Sequence, residues 1–182
     1  EGTLAIDNNA QTAQTSKKNG ATGSTGTLTV FNKGTLAGSG SIAAPTEVYG
    51  TIAPTATLHF ANYKAATSAV KVTLHPEANI ICTVKSADEY AQLNIMGSLS
   101  RNGKTEEFED SEEMPTLTIA LAEDADLNVG DELTLLTATQ KVGTDWNLRI
   151  RYPQAYTWKV EQQQGEDGLF TVVAQVTSLE YG

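Results

Sequence analysis

Six acidic side chains lie in one polar segment, RNGKTEEFEDSEEMP, and are the densest group of carboxylates in the chain: Glu106, Glu107, Glu109, Asp110, Glu112 and Glu113. Paired carboxylates act as acid and base in glycoside or pectin cleavage, and their oxygens are ligands for Ca²⁺. The segment has no glycine at the spacing of an EF-hand loop, and a charge run of this kind is usually solvated. We therefore expect an acidic loop over 101–115, with weak calcium binding at 106–113 as the alternative.

The histidines and the cysteine are too few and too far apart for a metal centre. His59 and His75 are the only histidines, and neither has a second histidine or a cysteine at ligand spacing. Zinc requires three or four converging ligands. The single cysteine, Cys82, lies in the apolar run NIICTV and is expected to be a small core residue. No nucleophile elbow, phosphate loop or dinucleotide motif is present, so the sequence predicts no metal, no cofactor and no catalytic residue.

Four aromatic residues near the C-terminal end are the best candidates for contact with a ligand: Trp146, Tyr152, Tyr156 and Trp158. Exposed aromatic rings with polar neighbours can stack on the apolar face of a sugar. Alternation along a strand argues against all four rings sharing one face. Large aromatic side chains dominate small β cores, so the tryptophans are also candidates for core packing. We treat the four as candidate carbohydrate-stacking residues.

Composition and charge exclude several classes of partner. The 182 residues carry 12 Lys plus Arg against 22 Asp plus Glu, a formal charge of −10, which gives no basic surface for nucleic acid or an anionic membrane. No apolar stretch approaches the roughly 18 residues of a membrane span. The chain is rich in Thr, Ala and Gly and poor in helix formers, so the composition indicates an all-β protein.

A repeated triplet organises the N-terminal part of the chain. Gly-Thr-Leu or Gly-Thr-Ile begins at Gly2, Gly26, Gly34 and Gly50, at separations that are multiples of eight residues, and each triplet opens a short run of alternating apolar and polar residues. Each unit is too small to bury its apolar face alone. The repeat therefore predicts stacked coils of a parallel solenoid. The apolar residues expected to face inward are Leu28, Val30, Leu36, Ile42, Val48, Ile52, Leu58 and Phe60.

The pattern divides the chain near Pro115. Residues 1–115 are predicted to form solenoid coils, with a polar loop over 8–25 and the acidic loop over 101–115. Beyond Pro115 the apolar runs lengthen, and the last two flank QQQGEDG, which suits a hairpin turn. We expect residues 116–182 to be a C-terminal antiparallel β cap, continuous with the solenoid, that closes its open end.

Four segments, in order, resemble the autotransporter-associated β-strand repeat and the C-terminal region that follows it in passenger domains. They are GTLTVFNKGTLAGSGSIAAPTEVYGTIAP, EYAQLNIMGSLS, LNVGDELTLLTAT and TWKVEQQQGEDGLFTVV. The resemblance implies a right-handed parallel β-helix with a β-rich C-terminal cap, secreted or exposed on a bacterial surface. Similar segments occur at the C-terminal ends of secreted polysaccharide-degrading enzymes of Bacteroidetes, although GTIAP here is not followed by the family's usual "GNSPG".

These observations favour a non-catalytic structural or interaction module of a secreted or cell-surface bacterial protein, appended to a polysaccharide-acting enzyme. Its expected partners are polysaccharide and other domains of a longer chain, because Gly2 already lies within a repeat unit. One alternative is a fragment of a carbohydrate-active β-helix enzyme, a lyase or glycoside hydrolase. A second is an adhesin-like passenger fragment. The coils carry few Asp, Arg and Lys residues at alternating strand positions, which favours the scaffold.

Overall fold

The computed structural model describes residues 2–7, 26–61, 69–102, 114–143 and 146–179. These residues form sixteen β-strands and no helix, so the predicted all-β class is confirmed. The predicted polar loop over 8–25, and all but the ends of the acidic loop over 101–115, lie outside the described residues. In the described part of the chain there is therefore no helix of the length and apolarity that crossing a membrane requires.

The strands are short in the first half of the chain and longer in the second. They are β1 (Gly2–Ile6), β2 (Leu28–Val30), β3 (Gly34–Gly38), β4 (Ser41–Ile42), β5 (Thr46–Val48), β6 (Thr51–Pro54), β7 (Thr57–Phe60), β8 (Val70–Leu74), β9 (Asn79–Ser86), β10 (Glu89–Tyr90), β11 (Gln92–Arg101), β12 (Thr116–Leu121), β13 (Glu132–Lys141), β14 (Arg149–Arg151), β15 (Tyr156–Gln164) and β16 (Phe170–Leu179).

One sheet is a parallel ladder in the order β1-β3-β6-β9-β12-β14, with β10 added antiparallel to β9. We call it the first ladder. The repeated triplets set its register, since Gly2 lies beside Gly34 and Thr35 lies beside Thr51. The triplet at Gly26 behaves differently, because its leucine begins β2 in the other sheet. The triplets at Gly2, Gly34 and Gly50 thus occupy equivalent positions in the first ladder. The regular spacing in the sequence did not indicate that the triplet at Gly26 would differ.

The other sheet contains two parallel ladders joined by long strands. In the second ladder β4 pairs with β7, and β7 with the first half of β11. In the third ladder β2 pairs with β5, β5 with β8, and β8 with the second half of β11. Strand β13 lies parallel to both halves of β11, with a register shift between Ile95 and Ser98. Strands β11 and β13 therefore each span the second and third ladders, because no turn divides these two strands.

Antiparallel pairing of long strands begins later than Pro115. Strand β12 is still parallel to β9, β13 to β11, and β14 to β12. Only β16, which is antiparallel to β13, and β15, which is antiparallel to β16, have the pairing expected of the cap. The division of the chain at Pro115 stays a prediction, whereas the hairpin around QQQGEDG is formed by β15 and β16 as expected.

The core is built from residues that lie in register on successive strands. Leu36, Ile52, Ile80 and Leu117 are neighbours across the first ladder, and each is at most 1% exposed. Ile42, Phe60, Ile95 and Ala138 form a similar row in the second ladder and belong to the same hydrophobic cluster. Burial of each large aliphatic side chain contributes about 1.5–3 kcal/mol. The inward position predicted for Leu36 is confirmed.

Two glycines allow the strands to approach at positions that exclude any side chain. A Cβ at Gly97 would lie 1.9 Å from the carbonyl oxygen of Val70, and a Cβ at Gly38 would lie 2.1 Å from that of Ile6. Gly38 also has φ of +111°, which side-chain-bearing residues rarely adopt. Contact between neighbouring backbones therefore requires glycine at positions 38 and 97.

Candidate functional site

The two tryptophans among the candidate binding residues are part of the core. Trp146 is 6% exposed and Trp158 is 7% exposed. Each indole N–H donates to a backbone carbonyl, from Trp146 to Val142 at 2.8 Å and from Trp158 to Pro153 at 3.3 Å. Burial of the ring with a satisfied N–H is the usual structural use of tryptophan. These two rings therefore offer little surface on which a sugar could stack.

The two tyrosines of that group are more accessible. Tyr152 is 51% exposed, whereas Tyr156 is partly buried and meets Trp158 edge to face, with ring centroids 5.9 Å apart. The structure thus brings Tyr156 and Trp158 together. Within the group, Tyr152 has the most accessible ring, so the prediction of carbohydrate stacking at this end of the chain now depends mainly on Tyr152.

A second set of polar and aromatic residues lies on the third ladder, which the sequence did not indicate. Phe31, Tyr49, His75 and Asn102 each follow the last paired residue of β2, β5, β8 and β11, and we call them the outer row. Backbone bonds continue the ladder through them, since the N–H groups of Tyr49, His75 and Asn102 donate to Val30, Val48 and Leu74 at 2.8–2.9 Å. Strand pairing therefore places side chains that are distant in the chain next to one another.

His75 is at the centre of the outer row and is held on three sides. It is 6% exposed, and its imidazole stacks on the ring of Tyr49 with centroids 3.6 Å apart and planes inclined by 16°. Its Nε2 lies 2.5 Å from Oε2 of Glu47, and its Nδ1 lies 3.4 Å from the amide nitrogen of Asn102. An amide NH₂ group only donates, so Nδ1 accepts and Nε2–H donates to the carboxylate.

This arrangement makes His75 a positioning residue. Both ring nitrogens are engaged within the protein, so the imidazole orients Glu47 rather than presenting a free base or a metal ligand. The Glu47 side chain is 39% exposed and therefore reaches solvent while His75 holds it. Side by side with Glu47 in register lie Thr73 and Ser100, whose hydroxyl oxygens are 3.1 Å apart. Together they form a polar surface bordered by aromatic rings.

The other histidine occupies a simpler environment on the second ladder. His59 lies between Ser41 and Asn94 in register, and its Nδ1 is 3.2 Å from the amide nitrogen of Asn94. Desolvation by burial lowers the pKa of His59, so the neutral ring is favoured. His59 thus has a side-chain bond to Asn94, whereas His75 contacts Tyr49, Glu47 and Asn102.

Among the described residues, two of the open grooves lie beside turns between strands. One, of about 600 Å³, is lined by residues including Lys85, Glu89 and Tyr90. Lys85 Nζ lies 3.5 Å from a carboxylate oxygen of Asp124 and 3.4 Å from one of Glu89. Both carboxylates raise the pKa of Lys85, and Asp124 has the larger effect. The other, of about 510 Å³, lies between β1 and β2–β3, where Leu4 is 51% exposed and Phe31 is 71% exposed.

No cluster of three or more His, Cys, Asp and Glu residues that could hold a metal ion occurs in the described ranges. Cys82 is buried, and desolvation raises the pKa of its thiol to about 12, which suits the expected core role. The carboxylates of 106–113 lie outside the described residues, so calcium binding there stays a prediction.

Strand register explains why the sequence did not reveal the outer row. Glu47 and His75 are 28 residues apart, and His75 and Asn102 are 27 apart, while the regular triplet spacing is a multiple of eight. The only signal available was an aromatic or polar residue directly after the apolar run of each strand.

Comparison with known proteins gives no further information about the site, since no protein-family model and no curated protein matches this chain.

Proposed function

We propose that the chain is a right-handed parallel β-helix module with a C-terminal β cap. In this proposal it is a non-catalytic structural or interaction segment of a secreted or surface-exposed bacterial protein that acts on or holds polysaccharide. The secreted setting and the link to polysaccharide come from the resemblance of four ordered segments to autotransporter-type repeats and to the ends of secreted polysaccharide-degrading enzymes.

The observation that carries the proposal is the order in which the chain visits the three ladders. Strands β3, β4 and β5 belong to the first, second and third ladder, and β6, β7 and β8 repeat that order. Strand β9 then returns to the first ladder, β11 serves the second and third, and β12 and β13 repeat the cycle. A chain that cycles through parallel ladders winds as a coil, and parallel crossovers are right-handed in nearly all proteins.

A scaffold role is supported by how the polar groups of the described coils are used. His75 directs both of its ring nitrogens to protein partners. Lys85 forms an ion pair with Glu89 and another with Asp124 on the surface. These groups hold and orient the coils, and the resulting surface is stiff and extended with regularly spaced polar atoms, which suits a module that holds a polymer.

Affinity electrophoresis tests this function. Purified protein is run through gels containing xylan, mannan, β-glucan or pectin, and released reducing sugar is assayed in the same samples. We expect retardation in at least one glycan without release of sugar. Sugar release would replace the scaffold with the alternative of a carbohydrate-active β-helix enzyme. Absence of retardation in every gel would refute the polysaccharide association and favour the adhesin-like alternative.

A further inference from the structure

We propose that the outer face of the third ladder is a binding surface for an uncharged glycan, in which Tyr49 and Phe31 supply the stacking rings and Glu47 accepts hydrogen bonds from sugar hydroxyl groups. This inference rests on the proposed polysaccharide association. It moves the contact from the C-terminal aromatic residues to the coils, and it assigns the ligand a chemical class.

The first support is that the aromatic and acidic groups of this surface are held in place before any ligand binds. The ring of Tyr49 is fixed by its stack on His75, 3.6 Å away, and the carboxylate of Glu47 is fixed by Nε2 of the same imidazole at 2.5 Å. Because His75 is almost fully buried, one inaccessible residue orients two partly exposed ones. Preorganised side chains lose less conformational entropy on binding, which favours affinity.

The second support is the arrangement of oxygen atoms beside the rings. Thr29, Glu47, Thr73 and Ser100 lie in register on β2, β5, β8 and β11. Neighbouring strands of a sheet are about 4.8 Å apart, so the side-chain oxygens recur at that interval along the ladder. A glycan chain has hydroxyl groups along its edges and apolar ring faces between them. A row of oxygens next to aromatic rings complements both features.

The exposure of Phe31 gives the third support. Its side chain is 71% exposed and lies on the strand next to Tyr49, directly after Val30, which pairs with Val48. A large apolar ring in this position gains by being covered. Phe31 and Tyr49 each follow one residue of the pair Val30–Val48, so both aromatic residues lie at the same end of neighbouring strands. Phe31 also lines the groove between β1 and β2–β3, where one end of an extended ligand could stack on it.

Charge selects the class of glycan. On this face the described charged side chains at outward strand positions are Glu47 and the exposed Lys71, so the face is close to neutral, while the whole chain carries −10. A polyuronate such as pectin would be repelled by the acidic protein and by Glu47. An uncharged glycan is not repelled by these negative charges. Because it would bind by ring stacking and hydrogen bonds, we expect its binding to persist at high salt.

The test compares retardation of wild-type protein with that of Phe31→Ala, Tyr49→Ala and Glu47→Gln, with Tyr152→Ala for the rival surface near the C-terminal end, and with the control Val129→Ala, which shortens an exposed apolar side chain outside both surfaces. The gels contain neutral glycan at about 0.05 and about 0.5 M NaCl. We expect Phe31→Ala and Tyr49→Ala each to weaken binding by about tenfold or more, because ring anchors dominate affinity. Val129→Ala is expected to bind as the wild type does, because Val129 belongs to neither candidate surface. Thermal unfolding of each variant separates lost contact from lost fold, and the exposed Phe31 decides the test if Tyr49→Ala unfolds.

The outcomes distinguish this inference from the function on which it rests. No retardation of the wild-type protein by any glycan refutes the polysaccharide association itself. Retardation that Tyr152→Ala abolishes and Phe31→Ala leaves unchanged keeps the association and overturns the binding surface on the third ladder. Stronger retardation by pectin than by neutral glycans, lost at high salt, overturns the assigned ligand class.

Discussion

The imidazole of His75 lies nearly parallel to the ring of Tyr49, 3.6 Å from it, while its Nε2 holds the carboxylate of Glu47. This relationship joins two strands of the third ladder through side chains as well as through the backbone. It also combines hydrophobic burial, ring stacking and a charge-assisted hydrogen bond in one residue. The stability of the outer row should therefore depend on His75 more than on any residue that His75 contacts.

Replacement of His75 by alanine should destabilise the fold. His75→Ala removes a buried ring, the partner of Tyr49 and the donor to Glu47, and we expect a loss of about 2–4 kcal/mol in the free energy of unfolding. Urea denaturation measures this value. The matched control is His59→Ala, which alters a less buried histidine that bonds to one side chain, Asn94. Equal losses in the two variants would contradict the central place given to His75.

Two leucines at the same register position should tolerate a charge very differently. Leu4 and Leu36 are paired across β1 and β3, but Leu4 is 51% exposed and Leu36 is 1% exposed. Leu36→Asp places an unpaired charge in the core and should unfold or aggregate the protein, with a loss of more than about 4 kcal/mol. Leu4→Asp should cost less than about 1 kcal/mol.

Circular dichroism and size-exclusion chromatography of the two aspartate variants measure this difference. A folded, monodisperse Leu36→Asp protein would show that the inward face has been assigned incorrectly. A severe loss in Leu4→Asp would show that the exposed edge of β1 contributes more to stability than its burial indicates.

Close approach of two strands should make Gly97 intolerant of alanine. A methyl group there would lie 1.9 Å from a backbone oxygen of Val70, so β8 and β11 would have to separate. We expect Gly97→Ala to lower the free energy of unfolding by about 2 kcal/mol or more, by the cost of overpacking. Gly26→Ala is the control, since no atom lies within 4 Å of the added Cβ. Denaturation midpoints that coincide would refute this packing.

The thiol of Cys82 should make stability fall in alkaline solution. Its pKa is raised to about 12 in the folded protein from 9.0, so the folded state keeps the proton more tightly than the unfolded state does. The stability that depends on the protonated thiol is fully present below pH 9 and is lost as the pH rises from 9 towards 12. Over that range stability should decrease by about 1.4 kcal/mol per pH unit from this group.

Other groups also titrate above pH 9, so the measurement is the difference between wild type and Cys82→Ala. We expect Cys82→Ala to be less stable at neutral pH, because a buried side chain is shortened, and to lose less stability on the way to high pH. Parallel stability curves for the two proteins would contradict the assigned titration. Because Cys82 is buried, its thiol should react with a disulfide reagent only when the protein unfolds.

The sequence predicted those features that depend on local periodicity. Alternation along each strand was sufficient to place Leu36 in the core and to identify an all-β chain, and the glycine and acidic residues of QQQGEDG were sufficient for the hairpin between β15 and β16. For the tryptophans it gave sugar stacking as the prediction and core packing as the alternative, and the burial of Trp146 and Trp158 agrees with the alternative.

The outer row was not predictable because it depends on pairing between distant strands. The contact of Glu47 with His75 follows from the register of Val48 with Leu74, and the chain between these two strands differs in length from the chain between other paired strands. The continued parallel pairing of β12, β13 and β14 has the same origin, since strand length alone does not set strand direction. Residues far apart in the sequence become neighbours only when every intervening turn is known.

The strand order also determines how the protein responds to force. Strands β1 and β2 lie at one edge of their sheets, and β14 and β15 lie at the opposite edges. Hydrogen bonds run between neighbouring strands and are slanted in parallel pairs, so tension applied across one sheet, from β1 to β14 or from β2 to β15, is carried largely by those bonds. Strands loaded in this way separate one after another, like a zipper, rather than shearing all bonds at once. We therefore expect the protein to extend in steps, strand by strand, when it is pulled across its sheets.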